Sequence, residues 1–433
     1  MSAPPTSTPS NRRQIVAWAM YEWASGAYAV LSITVLESYI KDLFPGNPGL
    51  LLYTYGQGIT MMVAAILSPI LGAMADARAN KRLWLAGTTA IGAGASALMF
   101  FATPDRGWLL AVLFIAANLG LQLSLGLFNA FLPELSDDET MGRVSAFGYS
   151  LGYTGSFVAL LLVLGVFFLG GQMGFSLEAN GYLLKRVGLL IMGLWWGLFS
   201  LPILIGVRDK ALPRSQPLRP IAAARQALGE VRHTLVHIRT FRTLSLFLLG
   251  FLIFNDGIAT VVTQASVFAQ DVIHMTTNDL LVLILLIQFV ALVGAFAVGR
   301  LAERFGQKNT LMACLAVWVA ALIASFWVET RPQFWALAVA VALVLGGTQS
   351  VSRTMMGLMT PKQHTAEFFG FFNLSSKAAS MFGPVFFGTI MARTGKAHLA
   401  LASLLLFFIV GWLFILPIDL ARGQREARAE NAG

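Results

Sequence analysis

The sequence predicts an all-α polytopic membrane protein, with twelve transmembrane helices in two pseudo-symmetric six-helix bundles. Three observations carry that expectation. Hydrophobic residues fill 57% of the 433 positions and charged residues 12%, and mean hydropathy is +0.71. Lipid can cover that much apolar surface, whereas a soluble fold cannot hide it. Twelve apolar runs can be counted, long enough to span a bilayer at about 1.5 Å of rise per residue. The second half of the chain also repeats features of the first at nearly one offset, which implies duplicated bundles.

In order, the runs are 15–40, 53–74, 83–102, 108–131, 144–170 and 183–206, then 243–269, 279–299, 310–328, 334–357, 366–392 and 398–420. Most connections are short. The exception, Val207 to Arg242, divides the runs six and six. The expected organisation is a disordered cytoplasmic tail over 1–14, a bundle over 15–206, a linker over 207–242, a second bundle over 243–420 and a cytoplasmic tail over 421–433. In the linker, Ile221, Leu228, Val231, Leu235 and Ile238 recur at helical spacing, with Arg225, Arg232 and Arg239 on another face. That pattern reads as an amphipathic helix on the inner membrane surface. His233 and His237 lie i, i+4 within it, but no third ligand accompanies them and no metal is expected.

The net charge of +9 is a topology signal rather than a nucleic-acid patch. With the N-terminus inside, roughly 21 Lys and Arg fall in inner segments and about 7 in outer ones, which fixes both termini in the cytoplasm. Cys314 is the only cysteine, so there is no intrachain disulfide. No signal-peptide pattern precedes the first span, which is expected to stay uncleaved. No P-loop is present, so ATP does not drive the protein directly. No cofactor is implied.

The repeat is read from two pairs. Gly72, Asp76, Arg78 and Lys81 follow span 2, and Gly299, Glu303, Arg304 and Lys308 follow span 8. In both copies an acid follows the glycine by four residues and a lysine follows it by nine. Pro133 and Gly142 then match Pro361 and Gly370 at nearly the same offset. Asp76 or Glu303 could sit at a helix N-terminus while Arg and Lys make inner-side ion pairs, holding an inner gate closed. The alternative is ordinary positive-inside charge beside a tight turn.

This loop, duplicated among twelve spans, resembles the signature of the major facilitator superfamily, and the resemblance covers nearly the whole chain. Further stretches look like one branch, the vacuole effluxer or autophagy-related permease family. They are Tyr21-Glu22-Trp23-Ala24-Ser25, Phe128-Asn129-Ala130-Phe131-Leu132-Pro133-Glu134, Gly142-Arg143-Val144-Ser145, Asn255-Asp256-Gly257, Gly347-Thr348-Gln349-Ser350-Val351-Ser352-Arg353 and Phe368 through Lys377, closing at Gly383-Pro384. The branch usually has Asp-Trp-Ala-Asn where this chain has Glu22-Trp23-Ala24-Ser25. The resemblance implies a secondary active transporter of a small solute. Amino acids, exported by the fungal member, are the substrate class it suggests.

In the superfamily fold, spans 1, 4, 7 and 10 line the cavity. The resemblance therefore places Glu22, Gln122, Asn129, Asn255, Asp256, Gln349 and Arg353 on lining helices. Asp256 lies near the middle of an apolar run, where an ionised carboxylate costs at least about 3 kcal/mol. Substrate-binding candidates are Asn255, Asp256, Gln349, Lys377, Gln122, Asn129, Tyr21 and Trp23. Proton-coupling candidates are Asp256 and Glu22. Gating candidates are Asp76, Arg78, Lys81, Glu303, Arg304, Lys308 and Arg353. Asp256 and Lys377 have depths compatible with an ion pair, and so do Glu22 and Arg353. Static pairs that merely join helices are the structural alternative, and Arg353 could instead snorkel. Gly148 and Gly152 read as close helix packing.

An uncoupled facilitator, or an exporter of another polar solute or drug, stands as the alternative function. A membrane enzyme would need a nucleophile and base or a metal cluster, and the five His lack the partners. A scaffold without transport fits the duplicated halves poorly. Expected partners are a small-molecule substrate, the lipid bilayer and protons. No nucleic acid is expected, and a monomer suffices because one chain holds the pathway. A bacterial inner membrane is the expected location.

Overall fold

A computed structural model describes residues 9–176, 179–209, 241–378 and 382–430. The linker expectation, with His233 and His237, lies outside the described residues, and so does the side chain of Lys377. Among the described residues, ten helices are long and apolar enough to cross a membrane. They include span 2 (Asn47–Arg78), span 3 (Lys81–Leu98), span 4 (Gly107–Asn129), span 5 (Met141–Gln172) and span 6 (Ala179–Gly206). In the second half they include span 7 (Arg242–Asp271), span 8 (Thr277–Phe305), span 9 (Gln307–Ala324) and span 10 (Arg331–Leu358). Span 12 is built from Ala397–Ser403 and Leu405–Ile415.

The first and eleventh runs are also helical, in pieces. Span 1 runs Pro9–Leu31, passes through a π-helical turn at Ser32–Leu36 and continues Glu37–Leu43. Span 11 is described as Thr365–Ala378 and Phe382–Thr394. Within the tail expected over 421–433, the chain is helical from Leu420 to Glu430. Its Ala427 is buried while Arg422, Arg425 and Arg428 face outward. This division of small apolar and basic faces holds a short helix against the bundle.

Local chemistry sets the helix ends. Thr276 and Asp279 form a capping box that starts span 8. Gly306, at φ +85°, turns the chain between spans 8 and 9 in a conformation that favours glycine. At the matching turn of the first half, Ala79 takes φ 51°.

The duplication reappears as packing. Span 2 lies along span 11, and span 5 lies along span 8. Spans 2 and 8 are copies, as are 11 and 5, so the two seams between the halves correspond. The repeated glycines sit in them. A Cβ on Gly72 would fall 2.2 Å from the carbonyl oxygen of Ala366, and one on Gly299 would fall 2.4 Å from Cβ of Ala146. Each glycine lets the two halves approach at the end of the molecule that carries the 2–3 and 8–9 loops, here termed the termini face.

Candidate functional site between the two halves

Arg353 of span 10 is fully buried, and three elements of the other half hold it. Its Nε donates to Ser145 Oγ at 3.0 Å, and its Nη2 donates to the Ser145 carbonyl at 2.8 Å. Its Nη1 pairs with Glu22 of span 1 and donates to Asn129 Oδ1 of span 4 at 3.1 Å. Three aromatic rings enclose the cation, with the guanidinium carbon 4.0 Å from the Tyr149 centroid, 5.0 Å from Trp18 and 5.9 Å from Phe128. Planar guanidinium suits such stacking, where ammonium would not.

The depth match between Glu22 and Arg353 thus becomes a contact, and the snorkelling alternative does not hold for Arg353. The GxxxG of span 5 has a use that its packing reading missed. A Cβ on Gly148 would lie 3.0 Å from Arg353 Nη2, and one on Gly152 would lie 3.3 Å from Glu22 Cβ. These glycines clear room for the ion pair itself.

Two polar layers flank this pair. Tyr153 of span 5 donates its hydroxyl to Gln349 Oε1 at 2.8 Å, again joining the halves. A chain of amides runs from Gln57 through Asn118 (2.6 Å) to Gln122 (3.3 Å), and Asn373 of span 11 donates to the Gln122 carbonyl at 2.6 Å. Asn255 is half-buried on span 7. Tyr21 and Trp23 are not brought to the pair. Tyr21 shares a hydrogen bond with Thr89 at 2.9 Å inside its own bundle, and Trp23 stacks on Trp195 at 5.7 Å.

At the termini face, Lys81 is fully buried against Glu134, with Asp76 Oδ1 at 3.6 Å, and it donates to Thr365 Oγ1 at 2.9 Å. Asp76 Oδ2 accepts the backbone N–H of Glu367 at 3.0 Å, which caps the N-terminus of span 11. The carboxylate of one half therefore holds the helix dipole of the other. Nearby, the carboxylate of Asp209 accepts the N–H of Arg82 at 3.4 Å, and burial pushes its carboxyl above the usual range.

In the matching seam, Glu303 pairs with Arg143 at 2.8 Å and 3.2 Å, in an exposed position. Lys308 differs from its copy, because it donates to the Leu416 carbonyl at 2.7 Å within its own half. Arg304 lies over the Phe305 ring, also within its half. Arg78 is half-buried beside Asp76 in sequence. The C-terminal helix adds a further cross-half contact, Arg428 to Asp138 at 2.6 Å.

Asp256 on span 7 is buried, and its Oδ2 accepts the N–H of Gly383 on span 11 at 2.9 Å. Sequence reading missed Ser145 as a ligand of Arg353, and it missed the walls Tyr149 and Tyr153. The i, i+4 tyrosines on a glycine-lined face were the available signal. Among the described residues, no group of His, Cys, Asp and Glu could hold a metal ion.

Known proteins share this sequence and this architecture. A sequence profile described as "Vacuole effluxer Atg22 like" matches residues 52–428. An uncharacterized MFS-type transporter, YxiO of Bacillus subtilis, is 29% identical over 406 residues, covering 92% of this chain and 93% of the relative. Autophagy-related protein 22-1 of Neosartorya fischeri is 26% identical over 309 residues, covering 66% of this chain. The chain spans about half of that fungal relative, 49% of its length. The E. coli fucose:proton symporter FucP superposes with a TM-score of 0.71 at 14% identity, over 94% of this chain and 98% of the symporter. The human organic anion transporter MFSD10 superposes at 0.72 and 13% identity, over 95% of this chain and all of that one (100%). Fold, family and relatives agree that this is an integral membrane transporter, and the chain belongs to the Atg22-like vacuole effluxer family of the major facilitator superfamily.

Proposed function

We propose that the protein is a secondary active transporter that moves a small polar solute by rocking its two halves about the Arg353 site, driven by a proton gradient. The observation that carries this reading is the Glu22–Arg353 pair, shared between the halves with Arg353 fully buried and Glu22 only 12% exposed. Breaking one partner of such a pair costs about 3–5 kcal/mol, so the pair separates only when another group replaces the lost partner. Ser145 fixes the Nε and Nη2 edge through span 5, whereas the Nη1 edge is held by two side chains, Glu22 and Asn129. A solute carboxylate can take that edge from Glu22 and leave the cation where it is. Tyr149, Trp18 and Phe128 would exclude water around the exchange and strengthen it.

The contacts of Lys81, Asp76 and Glu303 support a state closed at the termini face. The basic loops on that face support its assignment to the cytoplasm of a bacterial cell. Amino acids are the first substrate class to test, since they offer a carboxylate for Arg353 and a small volume for the space between the halves.

The test is uptake into proteoliposomes from a panel of labelled amino acids, with and without an imposed proton gradient. Gradient-dependent accumulation of one class, lost in Arg353→Gln, is the expected result. Equal movement with and without the gradient would replace the coupled transporter by a facilitator.

A further inference from the structure

The two membrane carboxylates sit in opposite environments. Glu22 faces a guanidinium, that of Arg353. Asp256 faces none among the described residues. Its Oδ2 accepts the main-chain N–H of Gly383, and its other polar neighbours are the Phe382 N–H and the Thr260 hydroxyl, with Oδ1 buried short of a well-formed hydrogen bond. The two oxygens converge on one point. A Cβ on Gly383 would fall 1.9 Å from Thr260 Oγ1 and 2.8 Å from Asp256 Oδ1, so glycine is what lets span 11 close over them. Pro384 follows and has no N–H to offer.

The elements packed on span 7 bring no counter-charge among the described side chains. Span 7 carries Arg242 and Asp271 only at its ends, each roughly 20 Å away along the helix axis. Leu405–Ile415 of span 12 is uncharged, and His398 is turned to the Ser325 carbonyl. On span 11, Glu367 belongs to the termini face and Arg393 lies ten residues past Gly383, while Lys377 is on the same span with its side chain outside the described residues. Arg353 of span 10 is taken by Glu22, and Arg331 sits at the far end of that span. Glu426 and Arg422 of the C-terminal helix lie at the termini face, where Glu426 accepts the N–H of Thr243.

We infer that Asp256 is the coupling-proton site of this transporter, with the proton on Oδ1 beside Thr260 Oγ1 and with Oδ2 capping Gly383 of span 11. The inference rests on the proton-driven reading above and divides the labour within it. Glu22 holds Arg353, while Asp256 carries the proton and ties span 7 to span 11. The proton neutralises a buried carboxylate that no cation faces among the described side chains. Loss of the proton leaves a charged carboxylate in the apolar core with neutral hydrogen-bonding neighbours and no facing cation among the described side chains, an unfavourable state unless water reaches it. Release is therefore confined to the conformation that opens span 7 to water, and this links proton movement to the rocking of the halves.

Infrared pH-difference spectra of the full-length protein in lipid test this directly. The expected result is a protonated-carboxyl band present in wild type and in Glu22→Gln, lost in Asp256→Asn, and shifted in Thr260→Val. A band that survives Asp256→Asn would overturn the assignment. So would a wild-type-like absence of the band that Lys377→Gln restores, because Lys377 would then be neutralising an ionised Asp256. In proteoliposomes, Asp256→Asn is expected to lose proton-driven accumulation. A sodium gradient driving uptake in wild type would overturn the proton as the coupling ion. If no amino acid moves in any variant, the substrate reading fails, and the spectra still judge the site.

Discussion

Gly148 lies directly under the guanidinium of Arg353, with space for a hydrogen but not for a methyl group. A Cβ there would meet Arg353 Nη2 at 3.0 Å and the Trp18 ring at 2.8 Å. Substituting Gly148→Ala is expected to displace the cation and abolish transport, whereas Gly165→Ala, where a Cβ meets nothing within 4 Å, is expected to leave transport unchanged. Initial uptake rates of the two variants, at matched levels in the membrane, decide this. Equal rates would refute a site built around that glycine.

Removing one member of the central pair should destabilise the protein more than removing both. Arg353→Met leaves Glu22 in the core without its cation, and Glu22→Gln leaves Arg353 with a neutral partner. We expect the first to cost about 3–5 kcal/mol and the double variant to recover a substantial part of it. Thermal unfolding in detergent, read as a double-mutant cycle, measures the coupling. Strict additivity would show that the pair does not form in the folded protein.

The cap that Asp76 places on span 11 predicts a graded series. Asp76→Asn keeps an acceptor for the N–H of Glu367 but loses the charge facing Lys81, and Asp76→Ala loses both. Losing an N-cap costs about 1 kcal/mol. The variants should therefore open the termini face in the order Ala, Asn, wild type. A single cysteine placed on that face, with Cys314 replaced, reports the order through its alkylation rate. An unchanged rate in Asp76→Ala would remove Asp76 from the gate.

Asp209 gives a pH signature outside the membrane spans. Burial raises its carboxyl above the ordinary range, against the smaller opposing pulls of the Arg82 N–H and Lys81. An acid whose folded value is raised adds stability below its unfolded value and loses it as pH rises through the folded one. Wild type should therefore match Asp209→Asn at acid pH and fall below it as pH climbs through the raised value. Melting temperatures of both proteins across acid to neutral pH check the sign, and a difference that widened toward acid would reverse it.

The fold was legible because lipid imposes a one-dimensional code. Run length, loop charge and the Gly72/Gly299 repeat each survive without knowledge of contacts. The Glu22–Arg353 pair was legible only as matched depth, since depth follows from counting residues while azimuth does not. Tyr21 and Trp23 show the consequence. They neighbour Glu22 in sequence, but helical rotation turns them into the first bundle and onto Trp195. Ser145 and Tyr149 were hidden for the converse reason, because small or aromatic residues in an apolar helix look like packing until a cation is found beside them. Lys308 does not mirror Lys81, since it turns to the Leu416 carbonyl of its own half, although Ala79 and Gly306 hold matching turn positions with positive φ.

That divergence makes the two seams mechanically unequal. Lys81, between Glu134 and Asp76, is sealed from solvent, while Arg143 is 71% exposed against Glu303. An exposed pair contributes about 0–1 kcal/mol, well under the loss of a buried one. The termini face thus behaves as a door with a latch on one edge and a hinge on the other. Spans 5 and 8 are expected to part first and spans 2 and 11 to stay in register longest, so that a solute held at the site proposed around Arg353 would leave on that side through an opening that widens from one flank.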